Sequence, residues 1–178
     1  MKKVLLAVSG GIAVYKACDI VSKLTKRNVD VQVIMTENAT KFVTPLTFEA
    51  LSKHMVFTDT FDYSYDASIK HISLAQEADL LCVAPATANI MAKMAHGIAD
   101  DMVSSTFLAA TCPVLMCPAM NTNMYENAAT QANLRILEER GMKIVGPGVG
   151  KLACGDVAKG VLAPVDDIVD AIMETLGQ

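Results

Sequence analysis

Three stretches hold more polar or reactive side chains than folding requires. In "CPAMNTNMYEN", residues 117–127, an apolar run ends in a proline, two methionines and three asparagines. A strand-to-helix connection needs one turn residue and one cap, and a single Asn supplies both. Ala119, Asn121 and their neighbours are surplus to the fold, and Met120 and Met124, read as loop residues, have no helix face to fill. His71 opens "HISLAQEAD", a short amphipathic helix; a histidine there is either a packed side chain or a proton carrier near neutral pH. Cys154 stands inside "GPGVGKLACGDVAKGVLAP", which holds five of the chain's ten glycines. A segment so rich in glycine has little reason to pack by itself, so a mobile lid is expected over 146–163. Cys18, Cys82, Cys112 and Cys117 lie in apolar strand or helix contexts that suit buried, unreactive thiols. His54 and His96 belong to no motif and receive no role.

A second set of residues suits anion or cofactor binding. "SGGIA", from Ser9 through Gly10 and Gly11 to Ala13, lies between an apolar run and a helical pattern. Backbone at such glycines can approach an anion while helix N–H groups point at it, although a plain tight turn has the same pattern. Thr36, just after "VDVQVIM", is either a ligand hydroxyl or a helix cap. "APATANIMAK" sets Thr87 and Asn89 among small residues that let a planar group lie close to the backbone. "DDMVSSTFLAA" carries Ser104, Ser105 and Thr106 in a helix whose other face is apolar, where hydroxyls also bond the preceding turn.

These residues need a scaffold that gathers several loops at one edge. Val4 to Val8 is an apolar run, a helical pattern follows through Leu24, and "VDVQVIM" alternates as a strand. "ADLLCVAPA" and "TCPVLMCPA" are further apolar runs, followed by amphipathic stretches from Ala88 to His96 and from Met124 to Arg140, with Gly97 and Gly141 where helices end. "MKIVGP" is read as a fifth strand and "PVDDIVDAIMETL" as a closing helix. Strands apolar on both faces that alternate with helices imply a doubly wound, Rossmann-like or flavodoxin-like α/β parallel sheet with helices on both faces. Ligands of such sheets bind outside the carboxyl ends of the strands, and every unusual motif falls on that edge.

The chain has 178 residues, a length that suits one domain over 1–178. Its 52% hydrophobic content argues against long disorder, and a net charge of −4 without a basic cluster argues against nucleic acid as a partner. Five cysteines without CxxC or His-flanked spacing fit neither a disulfide framework nor a metal site, and point to a reducing compartment. No run approaches the roughly 20 apolar residues of a membrane span, so no membrane partner and a cytoplasmic location are expected.

Taken in order and over nearly the whole chain, "SGGIAVYK", the histidine of "HISL", "APATANIMAK" with "HGIADD", "PAMNTNM" and "LACGD" resemble the homo-oligomeric flavin-containing cysteine decarboxylases. The nearest likeness is to the branch that decarboxylates phosphorylated pantothenoylcysteine in coenzyme A biosynthesis. The resemblance implies a non-covalent FMN held by Ser9, Gly10, Gly11, Ala13, Thr36, Thr87, Asn89, Ser104, Thr106 and Met120, between subunits of a trimer or of a dodecamer built from trimers. It implies that Asn121 lies near the substrate carboxylate, with Ala119, Met120 and Met124 shaping that pocket. It makes His71 the acid/base of oxidative decarboxylation and Cys154 the proton donor of the reductive step, giving 4′-phosphopantetheine and CO2. Bifunctional members continue into a synthetase domain, so a separate phosphopantothenate-cysteine ligase is an expected partner. The alternatives are a peptidyl-cysteine decarboxylase of peptide-antibiotic biosynthesis, a flavin prenyltransferase, which lacks the PAMN signature and the lid cysteine, and a non-catalytic FMN-binding regulatory subunit.

Overall fold

The computed structural model describes residues 1–61, 69–151 and 157–178. In chain order its elements are β1 (Lys3–Val8), α1 (Val14–Lys26), β2 (Asp30–Met35), α2 (Glu37–Thr40), α3 (Pro45–Ser52), α4 (Lys70–Glu77), β3 (Leu80–Ala86) and α5 (Ala88–His96). They continue with α6 (Met102–Ala109), β4 (Val114–Pro118), α7 (Thr122–Glu126), α8 (Ala128–Glu139), β5 (Lys143–Ile144), β6 (Gly148–Lys151), β7 (Val157–Val161) and α9 (Val165–Leu176). Five strands form one parallel sheet in the order β2-β1-β3-β4-β5, and β6 pairs antiparallel with β7 in a separate hairpin.

Because successive side chains of a strand point to opposite faces, each strand feeds two cores. Val4, Leu6 and Val8 of β1 pack with Val14, Ile20 and Leu24 of α1 and Ile168 and Ile172 of α9. Leu5 and Ala7 pack on the other face with Ile90, Met91 and Met94 of α5, Val103 of α6 and Leu137 of α8. Each fully buried Leu or Ile contributes about 1.5–3 kcal/mol, so the two layers hold the sheet from both sides. The doubly wound α/β sandwich expected from the sequence is the one observed. No helix among the described residues is long and apolar enough to cross a membrane.

Three local features differ from expectation. The amphipathic stretch from Met124 to Arg140 is two helices, broken at Asn127, whose Oδ1 accepts from Ala129 N–H at 2.9 Å and starts α8 anew. "MKIVGP" forms a strand of two residues, Lys143 and Ile144, paired with β4, and Val145 N–H adds a bond to Met116 O at 2.9 Å. The glycine-rich stretch, expected to have little reason to pack by itself, contributes β6 and β7, with Gly148 and Gly150 in the ladder and Gly160 at the register shift.

Candidate functional site

In a sheet of order 2-1-3-4-5 the chain leaves β1 for one side and β3 for the other, which opens a crevice where their carboxyl ends diverge. Ser9, directly after β1, closes its floor. Its buried hydroxyl donates to Pro85 O at 2.7 Å and accepts from Thr87 N–H at 3.0 Å. Gly10 lets the β1–α1 turn press onto α2, since a Cβ there would stand 2.5 Å from Asn38 Cβ and 2.7 Å from the Asn38 carbonyl carbon. A Cβ at Gly11 would meet only Thr87 Cγ2, at an ordinary 3.6 Å.

Helix N-termini converge above this floor. Thr36 caps α2 by accepting from Ala39 N–H at 3.2 Å, and Thr87 caps α5 by accepting from Ile90 N–H at 3.3 Å. A hydroxyl that accepts still carries a proton to donate, so the caps do not exhaust either side chain. The N-cap of α1 is Ala13, which supplies no capping side chain. Its first turn is the place where an anion would complete the helix.

The facing wall follows β4. Ala119 N–H bonds Ala86 O at 3.0 Å and Met120 N–H bonds Gly160 O at 2.9 Å. Asn121 caps α7 by accepting from Asn123 N–H at 2.9 Å. Met124 lies in α7 rather than in a loop, yet it fills no core position: it is 50% exposed. These walls and the end of β7 enclose about 990 Å³, the upper end of the range of small-molecule sites. The cleft gathers Ser9, Gly10, Gly11, Ala13, Thr36, Thr87, Asn89, Ala119, Met120, Asn121 and Met124 from distant parts of the sequence.

Other candidates lie elsewhere in the chain's own fold. Thr106 is buried in α6 with its hydroxyl donating to Met102 O at 2.6 Å. Ser104 sits in a capping box: its N–H donates to Asp101 Oδ1 at 2.7 Å and its Oγ accepts from Asp101 N–H at 3.1 Å. His71 is in α4, outside the cleft, with a buried Nδ1 that has no hydrogen-bond partner among the described residues. Cys154 falls outside the described residues. Among the other cysteines, burial pushes the thiols of Cys18, Cys112 and, most strongly, Cys117 up, which keeps them protonated and unreactive.

The charged lining was not assigned from sequence. Lys93 Nζ lies 2.6 Å from Asp100 and 2.7 Å from Asp101. Burial works against its charge, but the two carboxylates outweigh that and raise its pKa, while the same contact lowers Asp100. Glu37 faces Lys41 at 3.4 Å. Lys16, on α1, lines the cleft, and its side chain makes no ion pair or hydrogen bond among the described residues. The motifs "SGGIAVYK", "APATANIMAK" and "HGIADD" contain Lys16, Lys93 and the two aspartates, but a lone lysine or a pair of aspartates signals nothing until the fold brings them to the same cleft.

The Flavoprotein family model matches residues 1–177. The chain is 48% identical over 177 residues to a probable phosphopantothenoylcysteine decarboxylase of Streptococcus mutans, covering 98% of this chain and 99% of that one. It is 54% identical over 168 residues to the coenzyme A biosynthesis bifunctional protein CoaBC of Bacillus subtilis, covering 94% of this chain and 41% of the relative. It thus spans about two fifths of the length of the bifunctional relatives it matches. Among solved structures, a PPC decarboxylase mutant complexed with pantothenoylaminoethenethiol superposes with a TM-score of 0.90 at 29% identity, over 99% of each chain. The FMN-dependent cysteine decarboxylase SpaF superposes with a TM-score of 0.85 at 32% identity, over 99% of this chain and 98% of that one. A cleft at the sheet's switch point, ringed by helix N-termini, is what a flavin-binding fold provides, and the chain belongs to the flavoprotein family.

Proposed function

We propose that the protein is an FMN-dependent phosphopantothenoylcysteine decarboxylase, which converts 4′-phosphopantothenoylcysteine to 4′-phosphopantetheine and CO2 in coenzyme A biosynthesis. The observation that carries this reading is the joining, in one cleft, of the β1–α1 glycine turn and the amide-bearing segment 119–124. Likeness over nearly full length to a probable decarboxylase of this kind supports it.

The cleft suits FMN by volume, by the uncapped start of α1 and by the hydroxyls of Thr36 and Thr87. When bound, FMN supplies a two-electron acceptor for thiol oxidation before CO2 leaves, and a donor afterwards. Gly11, Ala13, Thr36, Thr87 and Asn89 hold it over the Ser9 floor. Ser104 and Thr106 act through α6, whose start at Asp101 borders the cleft. Asn121 donates its amide N–H to the substrate carboxylate, with Ala119, Met120 and Met124 as the apolar side of that pocket. His71 is the acid/base, and Cys154 delivers the proton of the reductive step from the lid over 146–163.

His71 lies outside its own chain's cleft, so the reading requires a neighbouring copy to supply it. That fits a trimer, or a dodecamer of trimers, with the flavin between subunits. Ile12 and Tyr15, exposed by 62% and 59% at the rim, are the kind of apolar surface a second copy covers. We place the enzyme in the cytoplasm, with a phosphopantothenate-cysteine ligase as the source of its substrate.

Mass spectrometry tests the reading. The purified, FMN-loaded protein incubated with 4′-phosphopantothenoylcysteine should give a product lighter by CO2 alone. A product lighter by CO2 and two hydrogens is the enethiol of a peptidyl-cysteine type of reaction, and unchanged substrate rules out the enzyme.

A further inference from the structure

The segment that carries Asn121 has no visible means of holding itself in place. α7 is five residues long and buries none of its side chains. A helix that short is unstable by itself, and since of its side chains only the partly buried Tyr125 packs against the core, the rest of its orientation must come from neighbours. Gln131 of α8 ties down its far end by donating to Tyr125 O at 2.6 Å. The near end is tied by β7.

We propose that β7 is a positioning element for Asn121, acting through Gly160 and Thr122; the proposal rests on the decarboxylase reading above. Met120 N–H donates to Gly160 O at 2.9 Å, and Thr122 Oγ1 donates to Lys159 O at 2.7 Å. Consecutive carbonyls of β7 therefore grip the residues on either side of Asn121. Lys159 adds a third contact, its Nζ lying 5.2 Å from the centroid of the Tyr125 ring.

The approach is possible only because residue 160 is glycine. Its φ of +134° is one that side-chain-bearing residues rarely adopt, and a Cβ there would overlap the Met120 carbonyl oxygen. With both flanks fixed, the Asn121 side chain is set by its cap onto Asn123 N–H. A planar amide held at its oxygen has its direction set, as a group that must meet a carboxylate requires.

The FMN-loaded full chain is compared with Thr122→Val, which keeps the shape and removes the hydroxyl, with Thr122→Ser, which restores it, and with Gly160→Ala. The readouts are kcat and KM for substrate, the inhibition constant of 4′-phosphopantetheine, which lacks the carboxylate, and amide exchange at Met120. Thr122→Val should lower kcat/KM about tenfold, the effect of losing one hydrogen bond. The inhibition constant should move less than about twofold, because no carboxylate is read, and flavin content should stay unchanged. Thr122→Ser should recover the parent value, and Gly160→Ala should exceed the valine variant in both lost activity and faster exchange. Should Gly160→Ala fail to fold, the Thr122 pair decides. Parent-level kcat/KM in Thr122→Val, or an equal loss for substrate and product, overturns the proposal. A parent protein that releases no CO2 overturns the functional reading, and this proposal with it.

Discussion

At the N-terminal edge of the sheet charges are closed in pairs, whereas at the C-terminal edge polar groups remain turned toward the cleft. Ahead of β1 and β3, Lys2 Nζ lies 3.1 Å from Asp79, Lys3 N–H donates to Asp79 at 2.7 Å and Lys3 Nζ lies 2.5 Å from Glu77. Asp30, opening β2, is 2.6 Å from His54, and Lys143, opening β5, is 2.6 Å from Glu174. At the opposite edge Lys93 is also closed by Asp100 and Asp101, and Glu37 by Lys41, but beside them stand two glycines, two threonine caps and the side chain of Lys16, which has no ion pair among the described residues. One sheet thus separates stability from chemistry by strand direction. Exposed pairs of the first kind contribute little, while open polar groups in a half-enclosed cleft can act on a ligand.

The largest expected effect is on His71, which lies outside the cleft of its own chain. His71→Asn should lower turnover about 10²–10⁴-fold with FMN retained. Mixing it, under subunit exchange, with an inactive Asn121→Ala variant should restore activity if sites are shared between copies; no recovery would return His71 to a packing role. Next comes Gly10→Ala. Overlap with the Asn38 backbone should cost about 1–3 kcal/mol of stability, read by urea denaturation, and weaken flavin retention. A variant as stable as the parent would mean that α2 gives way freely. Lys16→Met should raise KM for the phosphorylated substrate about tenfold, leaving kcat nearer the parent value, as expected for a cation that binds ground state and transition state alike.

The smallest effect tests the closed edge. The Asp79 carboxyl is held below its usual range by the Lys3 N–H and then by Lys2. A depressed carboxyl pKa adds stability that is complete above the unfolded value, near 3.9, and is lost as pH falls through the lower folded value. Asp79→Asn should flatten that acid limb, lower Tm at neutral pH by at most about two degrees, and leave activity unchanged. A large loss of activity would break the division between the edges.

How far the molecule is legible from sequence depends on whether side chains carry the pattern. β1, β3 and β4 are apolar on both faces, so their runs are unmistakable. α1 repeats its buried residues Val14, Ala17, Val21 and Leu24 at helical spacing. The break at Asn127 is hidden because helical spacing continues across it, and the β6–β7 hairpin is hidden because glycines leave no alternation to read. Within the site, residues that follow strand ends were legible, since a parallel sheet delivers them all to one edge. The position of His71 outside its own chain's cleft was not legible, because nothing in "HISLAQEAD" states where α4 lies relative to the strand ends.

The central place of β1 has a consequence for the timing of amide exchange. β1 pairs with β2 along its full length and with β3 over Val4 to Ala7, so its amides should exchange with deuterium only when the whole sheet opens. β7, bonded to one partner strand outside that sheet, should exchange by local opening. The cleft is therefore bounded by a slow wall and a fast one. An inhibitor anchored on the Ser9 floor would lose its anchor only when the whole sheet opens, while one anchored on β7 would lose it at each local opening, and its residence time would follow the faster clock.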